Sequence, residues 1–149
     1  MSTHHQLLYH IVFSTKNRKP YLQPGTQAEM FAYLGGTVKG LDGIPIRIGG
    51  WVDHVHLLIR LKTTHQLSSF VRDLKSSSSR KFNEQGRKVA KFGWQDGFGA
   101  FTVSPSMVDD VVRYIERQEE HHKKQSFQAE YIRMLDRHGV QYDPRYVFD

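Results

Sequence analysis

The 149-residue sequence has no cysteine. That absence excludes disulfides, thiolate zinc sites and cysteine nucleophiles, leaves nitrogen and oxygen as the donors for any metal, and fits a reducing compartment. Also missing is an apolar run of bilayer length, and the opening MSTHHQLLYHIVF has neither the charge pattern nor the small-residue cleavage site of a signal peptide. A soluble cytoplasmic protein with no membrane association is expected. No period of about 20 to 50 residues repeats, and the one low-complexity run is Ser76 to Ser79. Solenoids and disordered arrays are thereby set aside.

What is present is the composition of a folded protein, 38% hydrophobic and 24% charged. The length suits one domain over residues 1–149, with a core over about 5–124 and a helical extension over about 125–149. Lysine and arginine number 21 against 15 acidic residues, a formal charge of +6 that favours an anionic partner.

Alternation in LLYHIVFST places Leu7, Tyr9, Ile11 and Phe13 on one face of a half-buried strand. A helix is expected from about Gly25 to Val38, a strand near Ile44 to Val52, another from His54 to Leu61, and a second helix over 65–85 whose apolar stripe continues in small serines. A glycine-rich strand follows near Phe98 to Val103. Ser104 and Pro105 then read as the cap and first position of a third helix running to about Lys124. A short amphipathic helix ends at Gly139, and an aromatic tail follows. Such alternation predicts helices packed on one face of a sheet.

In VDHVHLLIRL, alternation gives Val55, Leu57, Ile59 and Leu61 a continuous apolar face and turns His54 and His56 the other way, onto a face left open for a substrate. Two imidazoles at i and i+2 stand close enough to share a metal, but two protein ligands seldom make a stable catalytic site, so a third is needed from another element. In the helix after Pro105, Val108, Val111, Val112 and Ile115 make the buried stripe, while Tyr114 and Gln118 lie together on its flank, one turn apart. That pairing separates Tyr114 from the six other tyrosines. Asp53 begins on the opposite strand face and reads as a strand-entry residue outside the site. Arg72, Lys75, Arg80, Lys81, Arg87, Lys88 and Lys91 cluster among serines and form the candidate DNA track; Phe92, Trp94 and Phe98 are aromatics for base stacking or, for at least two of them, for the core.

VDHVHLLI followed by a helix carrying YIERQ resembles the single-tyrosine HUH transposases of the IS-two-hundred-like insertion sequences, REP-associated relatives included. The likeness spans nearly the whole chain, through YHIVFSTKNRKPYL, LSSFVRDLKSSSSRKF and GWQDGFGAFTVS. It implies an α+β, ferredoxin-like (RRM-like) antiparallel sheet whose central strand bears the histidines. It also implies a homodimer acting on single-stranded DNA hairpins at element ends in a bacterial or archaeal nucleoid. By position, His54 and His56 match the family's metal ligands, Gln118 its third ligand and Tyr114 its nucleophile.

A phenol with a pKa near 10 is a weak nucleophile at neutral pH, and a divalent cation, Mg²⁺ or Mn²⁺, that draws charge from the phosphate compensates. Attack joins the tyrosine to a 5′-phosphate and keeps the bond energy for rejoining, so no nucleotide cofactor is required. Two other readings stand beside this one: a nucleic-acid-binding module without catalysis, and a metal-dependent nuclease that releases its product by hydrolysis.

Overall fold

The computed structural model describes residues 1–84 and 91–148. Four strands, β1 (Leu7–Ser14), β2 (Ile44–Gly50), β3 (His54–Leu61) and β4 (Gly99–Thr102), make one antiparallel sheet in the order β2-β3-β1-β4. The helices are α1 (Pro24–Gly40), α2 (Leu67–Glu84), α3 (Val108–Glu116), α4 (Gln118–His122) and α5 (Phe127–Arg137). The fold is the expected α+β, ferredoxin-like one, with β3 and β1 at the centre of the sheet.

The first sheet face follows from strand alternation. Val55, Leu57, Ile59 and Leu61 of β3 are buried with Ile11 and Phe13 of β1. Across them lie Met30, Leu34 and Val38 of α1, spaced four apart, and Phe70, Val71 and Leu74 of α2. Each such side chain contributes roughly 1.5–3 kcal/mol by leaving water. The serine run serves this face too: buried Ser78 donates to the Leu74 carbonyl (2.7 Å) and accepts from the Trp94 indole N–H (2.9 Å). A small hydroxyl in the stripe thus makes room for an indole and satisfies its donor. Phe92 and Trp94 are core residues, and Phe98 packs against them.

The second face is covered, not open. Val12 of β1 and Phe101 of β4 pack with Phe127, Met134 and Leu135 of α5, and the tail residues Tyr142, Val147 and Phe148 rest on that cluster. β1 is therefore buried on both faces from His10 onward instead of half-buried. The reason lies in α5, whose own apolar stripe has to be removed from water and finds its counterpart there. Ser126 caps this helix by accepting from the Ala129 N–H (3.1 Å), and Gly139, at φ +65°, ends it.

The third predicted helix is not continuous. Pro105–Met107 form a 3-10 turn, α3 starts at Val108, and the chain breaks at Arg117 before α4. Ser104 caps nothing; its hydroxyl meets that of Ser106 at 3.0 Å. Neither glycine nor proline announces the break at Arg117. It coincides with the burial of Gln118, a tertiary constraint.

Candidate active site

β3 delivers His54 and His56 to the second face, and both are completely buried. Beside them, β1 contributes His10 through the pairing of Val12 with His56. His10 Nε2 lies 2.8 Å from His56 Nδ1. Gly49 of β2, paired with His56, lets α3 come down onto the sheet: a Cβ there would stand 2.8 Å from Ile115 Cγ2. That close approach sets the depth of Tyr114 and Gln118.

Three elements, β3, α3 and α4, converge on one carboxylate. Glu130 of α5 places Oε1 3.2 Å from each of three imidazole Nε2 atoms, those of His54, His56 and His122. Its Oε2 accepts from the Tyr114 hydroxyl and, at 3.0 Å, from the Gln118 amide N–H. This contact fixes the amide's orientation, so Gln118 Oε1 faces His54 Nε2 (2.8 Å) and His122 Nε2 (3.1 Å). Tyr114 and Gln118 thus remain together across the helix break, and both reach the histidines of their own chain.

Burial opposes a charge on His54, but the Asp53 and Glu130 carboxylates outweigh it and raise its pKa to about 9. His56 is lowered by burial, and His10 is lowered well below the usual histidine value by burial and by His56. Burial would raise Glu130, yet its bonds to His122, His54 and His56 hold it far below the carboxylate range. Burial and the neighbouring Glu130 carboxylate push the Tyr114 phenol far above its ordinary value. At rest the tyrosine is a protonated donor.

The donor set suits a divalent cation. His122 Nδ1 lies 2.9 Å from the Gln125 carbonyl, a contact made through N–H, so a neutral His122 aims its Nε2 lone pair at two oxygens. A cation among them turns a repulsive contact into a favourable one. His54 repeats the arrangement, with Nδ1 on the Asp53 carboxylate at 2.7 Å and Nε2 facing inward, the outer-carboxylate support common for histidine ligands. Ligand atoms of His54, His122 and Glu130 all lie within 4.8 Å of one another. Mixed imidazole and oxygen donors fit Mn²⁺ or Mg²⁺.

His54, His56, Tyr114 and Gln118 are therefore brought together, and Asp53, left outside by strand alternation, backs His54. His10, His122 and Glu130 were missed. Two signals point to them: His122 repeats the four-residue step from Gln118, and Glu130 interrupts the apolar stripe of α5 with an acid.

The basic residues of α2 are not brought to this site. α2 packs on the other sheet face, so the sheet lies between Tyr114 and Arg72, Lys75, Arg80 and Lys81. Lys75 is half-buried and donates to the carbonyls of Gln95 (2.8 Å) and Gly97. Lys91 is exposed, and Arg87 and Lys88 lie outside the described residues.

Among the described residues no helix is long and apolar enough to cross a membrane. No curated protein matches the sequence. Two solved structures share its fold. A provisionally assigned transposase from Deinococcus radiodurans R1 has a TM-score of 0.64 at 23% identity, over 79% of this chain and 95% of that one. A REP-associated tyrosine transposase, bound to a REP hairpin, has a TM-score of 0.61 at 15% identity, over 82% of this chain and 74% of that one. The model of the IS200-like transposases matches residues 3–118, a stretch that holds all four strands and ends on Gln118. By that match over most of its length, this chain belongs to the IS200-like transposase family.

Proposed function

We propose that this transposase cleaves and rejoins single-stranded DNA through Tyr114, beside a divalent cation held by His54, His56 and Gln118, with His122 and Glu130 adding donors. The observation that carries this reading is the convergence on Glu130: the tyrosine hydroxyl and three imidazoles share one carboxylate, so nucleophile and ligands occupy one point in space. The hairpin in the REP-associated relative supports a hairpin-bearing substrate here.

In cleavage the Tyr114 oxygen gives up its proton and forms a bond to phosphorus, the bond from phosphorus to the 3′ oxygen breaks, and that oxygen takes up a proton, leaving a 5′-phosphotyrosine and a 3′-hydroxyl. Attack by a 3′-hydroxyl on the same phosphorus reverses the exchange and frees the phenol. When bound, the cation draws charge from the phosphate oxygens as the new bond forms. The protein's part is to orient. Asp53, His10 and Gln125 hold the outer nitrogens of His54, His56 and His122, which fixes the direction of each inner nitrogen. Glu130 keeps the phenol protonated until that contact is released.

The test is incubation with a labelled single-stranded hairpin and Mn²⁺, followed by a denaturing gel. Wild type should give a denaturation-resistant protein-DNA adduct and Tyr114→Phe none. Cleaved DNA without an adduct would instead indicate hydrolysis, and intact DNA would indicate a binding module.

A further inference from the structure

Tyr114 also lines a cleft of 530 Å³, within the roughly 300–1,000 Å³ usual for ligand sites, which His54, His56 and His122 do not line. Its floor is Tyr114, Glu130 and His10. One wall is apolar, made by Val103, Met107, Val111 and Met134, and Met107 is 47% exposed there, a large apolar side chain left in water at the mouth. The lining also carries the guanidinium groups of Arg133 and Arg137 and the imidazoles of His121 and His138. Of its two carboxylates, Asp110 is paired with Arg113 and Glu130 is spent on the imidazoles and Tyr114.

α5 sets this chemistry through one helical face. Glu130, Arg133 and Arg137 follow at steps of three and four, so one face sends the carboxylate into the site and the two guanidinium groups along the cleft. Both arginines are exposed, and among the described residues neither has a carboxylate partner. Arg133 is close enough for its charge to act on the Tyr114 phenol. Beyond the cleft, Arg117, Lys123 and Lys124 share a surface with Arg133 in which Glu120 is the one acid, so positive charge is in excess there. The family match ends at Gln118, and Arg133 and Arg137 lie beyond it.

We propose that the cleft is a single-stranded DNA subsite, in which Arg133 and Arg137 hold the phosphates flanking the bond at Tyr114 and the wall of Val103, Met107 and Met134 takes a base. Successive positive groups about one helical turn apart suit neighbouring phosphates on an extended strand, and apolar side chains lining the same cleft suit the face of an unpaired base whatever its identity. The subsite places the α5 side of the molecule, not α2, along the DNA. It rests on the reading of Tyr114 as the nucleophile, and its test is separable from that reading.

Binding of a fluorescent twelve-residue oligothymidylate is followed by anisotropy in EDTA, where neither metal nor chemistry contributes. The double variant Arg133→Gln/Arg137→Gln should bind about tenfold more weakly, and its salt dependence should be shallower by roughly 1.4, two phosphates at about 0.7 each. Arg80→Gln/Lys81→Gln on α2 should change neither. Met107→Ser should reduce the preference for the oligothymidylate over an abasic strand of the same length. Unchanged affinity and slope in the α5 variant overturn the subsite, as does a loss confined to the α2 variant. Adduct formation with hairpin and Mn²⁺ is scored separately. Weakened binding with no adduct in wild type leaves the subsite standing and removes the nucleophile, whereas wild-type binding and adduct yield in the α5 variant do the reverse.

Discussion

Buried side chains at the site are held by others that never face the reacting atoms, and His10 is the clearest case. A His56 that ligates a cation through Nε2 carries its proton on Nδ1 and donates it to His10 Nε2 (2.8 Å), which directs the His56 Nε2 lone pair inward. His10→Phe keeps an aromatic ring and removes that acceptor, and Mn²⁺ affinity measured by calorimetric titration should fall roughly 10–100-fold while the fold persists. Lys75 shows a different use of a charge. Burial lowers its ammonium to about 8 from 10.5. Below pH 8 the lysine is protonated folded and unfolded, and the folded state bears the full desolvation cost. Between about pH 8 and 10.5 the unfolded chain holds more protons, so this residue makes stability rise with pH over that window. Urea midpoints at pH 7.5 and pH 10 should show a smaller alkaline gain in Lys75→Met than in wild type.

Among the elements, β3 was legible from sequence because alternation at period two fixes both the core face and the direction of His54 and His56. The Tyr114 and Gln118 pair was legible from helical spacing, even though a break at Arg117 divides the helix that carries it. The covered second face was not. Nothing local in SFQAEYIRMLDRH says which surface its stripe meets, and the three imidazoles that contact Glu130 come from residues 54, 56 and 122. Ser104 and Pro105 were read as a helix start because their types match a cap, yet the chain turns once more before α3 begins. The basic run on α2 was found by composition, which carries no information about the side of the sheet. The packing of α3 on β2 gives a test at this scale. Gly49→Ala drives a methyl against Ile115 and its carbonyl, and should cost about 1–3 kcal/mol and lower adduct yield by lifting Tyr114. Gly36→Ala, on the exposed side of α1 with no atom within 4 Å of the new methyl, should gain roughly 0.5–1 kcal/mol and leave the yield alone. Denaturant unfolding reads both.

For the whole molecule, the central fact is that His54, His56, Tyr114, Gln118, His122 and Glu130 meet within one chain. Tyr114 and His56 have ring centroids 5.6 Å apart within the same chain. If the protein forms the dimer that the sequence resemblance implied, each subunit builds its own site. Mixing inactive His56→Ala with inactive Tyr114→Phe should therefore restore no cleavage once exchange of differently tagged subunits has been demonstrated; recovered activity would require a tyrosine helix donated across the interface. The order of assembly follows from the same feature. Synthesis runs from the N-terminus, so the sheet, the paired histidines and the tyrosine helix leave the ribosome before residue 130 does. A nascent chain of that length has its imidazoles without their carboxylate and the Val12 and Phe101 surface uncovered. Docking of α5 closes this hydrophobic layer and brings Glu130 to Tyr114 together, so covering the second sheet face and assembling the site are a single step.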